Sequence, residues 1–217
     1  MSVSKKIVSN QEGVHENLEM LVRKHLDSDF RKPIADHTRR AFAAVCRRID
    51  DAPNRPLILD ACCGVGDSSR ELARQYPDHW IIGIDKSEHR LLKERPGGLG
   101  DNLILMRADL NDFYRLAVEA SWTLARHYIL YPNPWPKSVH LKRRWHGAPV
   151  FPFMLRLGGE LELRSNWRTY LDEFALALGV AGYQAELEAF EATHPLTPFE
   201  RKYRDSGQPL FRLTAML

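Results

Sequence analysis

The chain has 217 residues, 44% of them hydrophobic and 27% charged. That balance suits one medium domain with its own core and excludes wholesale disorder or a fibrous repeat. The apolar runs fall far short of the ~20 residues a membrane helix needs. The first residues carry no apolar stretch of the kind a secretory signal requires. The three cysteines, Cys46 and the adjacent Cys62 and Cys63, form neither a disulfide framework nor a zinc spacing. The expectation is a reducing, cytoplasmic setting, with no membrane and no metal.

The net charge is only +3, but it is unevenly spread. Arg23–Arg48 holds eight Lys or Arg against three Asp; Lys137, Lys142, Arg143 and Arg144 lie together without an acid; Leu171–Glu191 has five acids and no base. Such polarity either turns one face toward a polyanion or decorates solvated helices.

Residues 1–13 read as a loose tail. A helix is expected over Val14–Leu26, and a stronger one over Ala35–Asp50, where Phe42, Val45, Cys46 and Ile49 recur at helical spacing. Asp51–Pro56 is rich in breakers. Short apolar runs at Leu57–Leu59, Trp80–Ile84, Leu103–Met106 and Leu124–Tyr131 then alternate with helical stretches at Ser68–Gln75, Glu88–Glu94 and Asn111–Ala117. This rhythm indicates βαβ units and a parallel sheet. Glu160–Leu163 reads as a strand, Trp167–Leu178 as a helix, and Tyr183–Ala189 and Leu210–Ala215 as two more strands. The expected fold is therefore α/β: a seven-stranded, mostly parallel sheet with helices on both faces and an antiparallel strand near the end. Residues 1–55, tail and basic helices, are expected to pack on a core formed by 56–217.

The first strand runs into Asp60-Ala-Cys-Cys-Gly64-Val-Gly66, and Asp85 ends the second strand 19 residues after Gly66. Small residues in such a turn let a ligand approach the backbone, and an acid at that spacing can accept both hydroxyls of a ribose. A dinucleotide site would want a third glycine where Ser69 stands, and Asp60 would repel pyrophosphate. A ligand with a ribose and an α-amino group fits better, and S-adenosylmethionine has both. Asp109, after the third strand, suits the adenine amino group and equally suits a helix N-cap. Asp60 and Asp85 have loop capping as their plain alternative. Cys62 and Cys63 read as small turn residues rather than nucleophiles, and His127 as a core group.

Tyr131-Pro-Asn-Pro-Trp-Pro-Lys137 follows the fourth strand, a proline-stiffened loop at the carboxyl edge, where ligands of such sheets bind. It would hold Asn133 and Trp135 in place; Trp135 suits either stacking on a base or packing on the sheet. The run Lys142–Arg144 suits phosphate contact or a solvated face, and His140 a place beside a phosphate.

With His140-Leu-Lys-Arg-Arg144, this loop resembles the Phe-Pro-Asp-Pro-Trp-x-Lys-x-x-His-x-Lys-Arg-Arg motif of the tRNA guanine-N7 methyltransferases, a Rossmann-like class I family that uses S-adenosylmethionine. Leu157-Gly-Gly-Glu-Leu with Ser165-Asn-Trp167, and Thr197-Pro-Phe-Glu200, resemble two further motifs of that family in the right order. The likeness covers about two-thirds of the chain. It implies cofactor contacts at Asp60, Gly64, Gly66, Asp85 and Asp109, and a catalytic, cofactor-contacting position at Asn133. It implies substrate contacts at Lys137, Asn166, Thr197, Pro198, Phe199 and Glu200, and a guanine of the tRNA variable loop as substrate. The family usually carries Asp at positions 133 and 166, and its glycine loop begins Glu-Ile-Gly. Residues 1–50 match no motif. The Asn-Pro-Trp stretch also resembles the Asn-Pro-Pro-Tyr loop of amino methyltransferases, which would point to an exocyclic or side-chain amine, and the two Asn residues also allow a non-catalytic RNA-binding homologue. Monomer and homodimer both stay open.

Overall fold

The computed structural model describes residues 4–95, 98 and 100–217. Among them, seven strands form one sheet: β1 (Leu57–Ala61), β2 (Trp80–Asp85), β3 (Leu103–Arg107), β4 (Leu124–Leu130), β5 (Glu160–Ser165), β6 (Ala185–Ala189) and β7 (Phe211–Met216). Their order is β3-β2-β1-β4-β5-β7-β6. The first five pair in parallel, and β7 runs antiparallel between β5 and β6. The chain order reverses between β1 and β4, the switch point at which such sheets open a crevice at the carboxyl ends of their strands.

The helices are α1 (Leu18–Leu26), α2 (Asp36–Asp50), α3 (Asp67–Gln75), α4 (Glu88–Leu91), α5 (Leu110–Glu119), α6 (Phe151–Arg156), α7 (Arg168–Val180) and α8 (Pro198–Asp205), with 3-10 turns at Ser138–Arg143 and Trp145–Gly147. Strands β1 and β2 are buried on both faces, so they read as near-continuous apolar runs. Along β1, Leu57, Leu59 and Ala61 join the larger core with α1, α2 and α5–α7, while Ile58 joins the smaller one with Leu72 and Ala73 of α3. Helix α2 docks through Phe42, whose ring lies 5.5 Å from Phe113 and 4.8 Å from Trp122. Among the described residues no helix is long and apolar enough to cross a membrane, and no group of three or more His, Cys, Asp or Glu could hold a metal ion.

Two expectations need correction. Helix α1 starts at Leu18 rather than Val14, because the His15 N–H is bound to the Glu173 carboxylate (3.0 Å) outside any helical ladder. Helices α6 and α8 lie in stretches to which the sequence pattern assigns no element. The tail is not loose from residue 4 onward: Ser4 is buried, its N–H reaches Ser206 Oγ (3.2 Å), and its carbonyl accepts from Gln208 (2.9 Å). Residues 1–3 of that stretch lie outside the described residues.

Gly158 and Gly159, between α6 and β5, both have positive φ, +66° and +83°. A Cβ on Gly159 would overlap the Leu124 carbonyl oxygen, whereas one on Gly158 would make only ordinary contacts. Gly159→Ala should therefore lose about 2–4 kcal/mol of unfolding free energy in urea, and Gly158→Ala about 1 kcal/mol. Equal losses would contradict this account of the turn.

Candidate active site

The β1–α3 turn coils because several of its residues take left-handed backbone, Cys62 at φ 61°, Gly64 at 62° and Gly66 at 78°. Its Cys63 N–H is tied to the Ile84 carbonyl of β2 (3.0 Å). Asp60 is fully buried, and its Oδ2 accepts from Ser68 Oγ and Ser69 Oγ, each at 2.6 Å. Gly83, its register neighbour on β2, has no Cβ and so leaves room for Ser69. The second oxygen, Oδ1, is buried without a partner among the described residues. Burial pushes the Asp60 carboxyl up to about 6; the two serine bonds work against that rise and Asp85 adds to it.

Asp85 accepts the Gly64 N–H on Oδ2 (3.1 Å) and the Ser87 N–H on Oδ1 (2.7 Å), with Arg90 at 3.2 Å from Oδ1. It thus holds the glycine turn while standing at its rim. Asp109 caps α5, its Oδ1 taking the Asn111 N–H at 2.9 Å. Capping does not exclude the other reading, for Asp109 also lines a cavity of ≈ 210 Å³ with Lys32, His37, Lys86, Arg107 and Ala108. Lys32 and His37 come from the stretch around the start of α2, where no motif is found. Both cysteines beside the turn are poor nucleophiles: burial pushes Cys62 up to about 12, and Cys63 well above its ordinary value. His127 is buried, and its Nε2 shares a hydrogen bond with the Tyr114 hydroxyl (2.8 Å); burial alone lowers its pKa to about 3.

Across the switch point, Tyr131 (φ 52°) and Trp135 (φ 45°) give the proline loop two left-handed residues. Asn133 is exposed between them, its Oδ1 accepting the Trp135 N–H at 3.3 Å. Trp135 is half-buried, with the Arg143 guanidinium 4.7 Å from its ring centre and the His140 ring edge-on at 5.4 Å. Lys137, Lys142 and Arg143 are exposed. Arg144 is not: it is completely buried and paired to Glu173 of α7, so the expected phosphate contact there is corrected to a structural one.

The third motif is built around Glu200. Thr197 caps α8 by accepting the Glu200 N–H (3.0 Å), and Pro198 takes the first helical position. Glu200 is buried, accepting from the Tyr131 hydroxyl and from Arg164, both at 2.9 Å, and from the Leu196 N–H at 2.6 Å. Its carboxylate therefore braces the motif against β4 and β5 rather than facing solvent. Phe199, 52% exposed, stacks on Tyr203, which leans on Tyr131. Asn166, half-buried at the end of β5, donates to Gln208 Oε1 at 2.7 Å. The bracing roles of Tyr131, Arg164 and Glu173 escaped sequence reading. An acid facing a helix's apolar side, as Glu173 does beside Phe174, was the available signal, since such a charge needs a buried partner.

A family model described as "Putative methyltransferase" matches residues 54–213. The tRNA (guanine-N(7)-)-methyltransferase of Syntrophotalea carbinolica is 32% identical over 170 residues, covering 71% of each chain. The chain belongs to this methyltransferase family. Among solved structures, the 16S rRNA methyltransferase KamB superposes with a TM-score of 0.61 at 18% identity, over 86% of this chain and 95% of that one. A mutant of the 16S rRNA (adenine(1408)-N(1))-methyltransferase from Catenulisporales acidiphilia, solved with cosubstrate SAM, gives 0.56 at 16%, over 81% and 90%. These two likenesses concern the fold. Within the family fold, Glu200 ties the α8 motif to Tyr131 of the proline loop and to Arg164, which precedes Ser165–Trp167, at the carboxyl edge of the sheet, while Leu157–Leu161 lies at the opposite edge beside Leu124. The family's relatives favour the guanine reading over the amino methyltransferase one.

Asp60 holds its proton more tightly folded, about 6, than at its ordinary 3.8. The folded state thus keeps a proton that the unfolded chain releases, so stability is lost as pH rises between those values, and the buried charge costs about 3 kcal/mol above them. Asp60→Asn cannot ionise. Between pH 4 and pH 7 its urea stability should rise relative to the wild type by about 2–3 kcal/mol; a pH-independent difference would refute the assignment.

Proposed function

We propose that this enzyme transfers a methyl group from S-adenosylmethionine to N7 of a guanine in the variable loop of tRNA, in the cytoplasm. The observation that carries the reading is the family membership together with the Tyr131–Lys137 loop standing opposite the Asp60–Gly66 turn at the switch point.

The residues at the β1 and β2 ends fit the cofactor. The unpartnered Asp60 Oδ1 beneath a glycine turn offers an acceptor for an ammonium. Asp85 offers remaining lone pairs to ribose hydroxyls, and Asp109, beside Lys86 and Ala108, offers a carboxylate to an adenine amino group. The cofactor supplies a methyl already activated by a sulfonium charge.

Guanine N7 has a free lone pair and no proton to lose, so this chain needs no general base. Its task is to hold the base in line, and placement of that kind can lower a barrier by ~7–11 kcal/mol. Asn133, exposed on a stiff loop, orients the base through its amide. Lys137, Lys142 and Arg143 supply cationic contacts to the phosphates around it. Thr197, Pro198 and Phe199 form the opposite wall. Asn166 and Glu200 serve that wall by holding Gln208 and Tyr131.

Methyl transfer makes the base cationic. A carboxylate at position 133 would stabilise the developing charge, and an amide forfeits ~1–3 kcal/mol of that stabilisation, or roughly ten- to a hundredfold in rate. Incubation with labelled S-adenosylmethionine and unmodified tRNA should yield labelled 7-methylguanosine on digestion, and Asn133→Asp should raise turnover by about tenfold or more. Labelled N6- or N4-methylated bases would instead favour the amine reading. tRNA binding without heat on adding the cofactor would favour a non-catalytic protein.

A further inference from the structure

The loop 131–137 contains two non-glycine residues in left-handed backbone, a conformation that persists only when its surroundings enforce it. Three successive carbonyls of this loop each receive a donor. Arg144 donates Nε and Nη2 to the Trp135 carbonyl (3.2 and 3.1 Å) and Nη2 to that of Lys137 (3.4 Å). Ser9 donates its hydroxyl to the Pro136 carbonyl between them (2.6 Å). The Ser138 N–H, just beyond, goes to Asn10 Oδ1 (3.0 Å).

Arg144 is itself fixed. Its Nη1 meets Glu173 Oε2 at 2.5 Å with both side chains fully buried, and its guanidinium lies 5.0 Å from the Trp167 ring centre. Glu173 Oε2 also accepts from His146 Nε2 (2.8 Å). Glu173 Oε1 accepts from Gln11 Nε2 (2.6 Å), and Gln11 Oε1 accepts from Arg144 Nη2 (3.1 Å). The N-terminal segment thus closes a ring with the ion pair.

We infer that Arg144, held by Glu173 and Gln11, is a positioning residue for methyl transfer: it fixes the loop carbonyls and through them the placement of Asn133. A well-packed apolar pair is generally at least as stabilising as a buried ion pair. What such a pair cannot supply is the forked set of donors that this loop uses.

The inference rests on the reading of Asn133 above, so its test has two parts. The double variant Arg144→Met/Glu173→Leu removes the donors without stranding a buried charge, and Gln11→Ala is a milder variant in a half-buried residue. Expected are a kcat per folded molecule reduced 10- to 100-fold in the double variant and 3- to 10-fold in Gln11→Ala, with KM for tRNA and cofactor Kd within twofold of wild type. Hydrogen exchange of the amides in 131–138 should rise at least tenfold in both. A purely structural role would lower Tm and leave kcat per folded molecule and loop exchange unchanged, and that result overturns the inference. If the double variant does not fold, Gln11→Ala decides on the same readouts. If the wild type transfers no methyl to tRNA, the functional reading fails, and loop exchange alone still judges the positioning: a rise supports it and unchanged exchange overturns it.

Discussion

A carboxylate buried at the end of the first strand sets the character of this molecule. Asp60 is closed off from solvent, satisfied on one oxygen by two serines and on the other by none of the described residues. Such a group raises its own pKa and weakens the fold at neutral pH unless a cation or donor completes it. Much of the surrounding turn serves that carboxylate. The missing Cβ of Gly83 admits Ser69, the left-handed turn residues bend the chain away, and the Gly64 N–H hands the turn to Asp85 on the next strand. That arrangement supports the proposed site for a positively charged nucleoside, the S-adenosylmethionine that the family uses.

The other half of the proposed site solves a different problem. A base must be presented to the methyl group without a protein acid or base taking part, so rigidity matters more than reactivity. Prolines remove backbone freedom and donors from the 131–137 loop, which leaves its carbonyls in need of partners. A buried arginine and the N-terminal segment supply them. Glu200 performs the parallel service for the α8 motif, with Tyr131 as the shared post between the two. Charged residues matched to family motifs therefore divide into those that face outward, Lys137, Lys142 and Arg143, and those that brace from within, Arg144 and Glu200.

Strands β1 and β2 were legible because burial on both faces makes them near-continuous apolar runs closed by small or acidic residues, Leu57–Ala61 and Trp80–Asp85, whereas β5 shows only Leu161 and Leu163 alternating with charged residues. Helix α8 was not: Pro198–Asp205 is polar almost throughout and buries only Glu200, so it lacks an apolar stripe. Its start was nevertheless written as Thr-x-x-Glu, a capping pattern. Strand β6 is an exposed edge carrying Glu186 and Glu188, and its bounds shifted accordingly. The acids at the strand ends could be named from spacing alone. The roles of Arg144 and Glu200 could not, since a charged residue reads as exposed until its partner is known, and Glu173 lies 29 residues beyond Arg144. The ordered tail escaped notice for the same reason: Ser9 and Gln11 are ordinary polar residues until the loop they cap is in view.

The most direct measurement is proton release on cofactor binding near pH 6, by titration calorimetry in buffers of different ionisation enthalpy. Asp60 is about half protonated there, so S-adenosylmethionine, whose ammonium favours the ionised carboxylate, should expel about half a proton. 5′-Methylthioadenosine, which has the nucleoside and no ammonium, should expel almost none. Equal proton counts for the two ligands would contradict the claim that the buried Asp60 carboxylate anchors the cofactor.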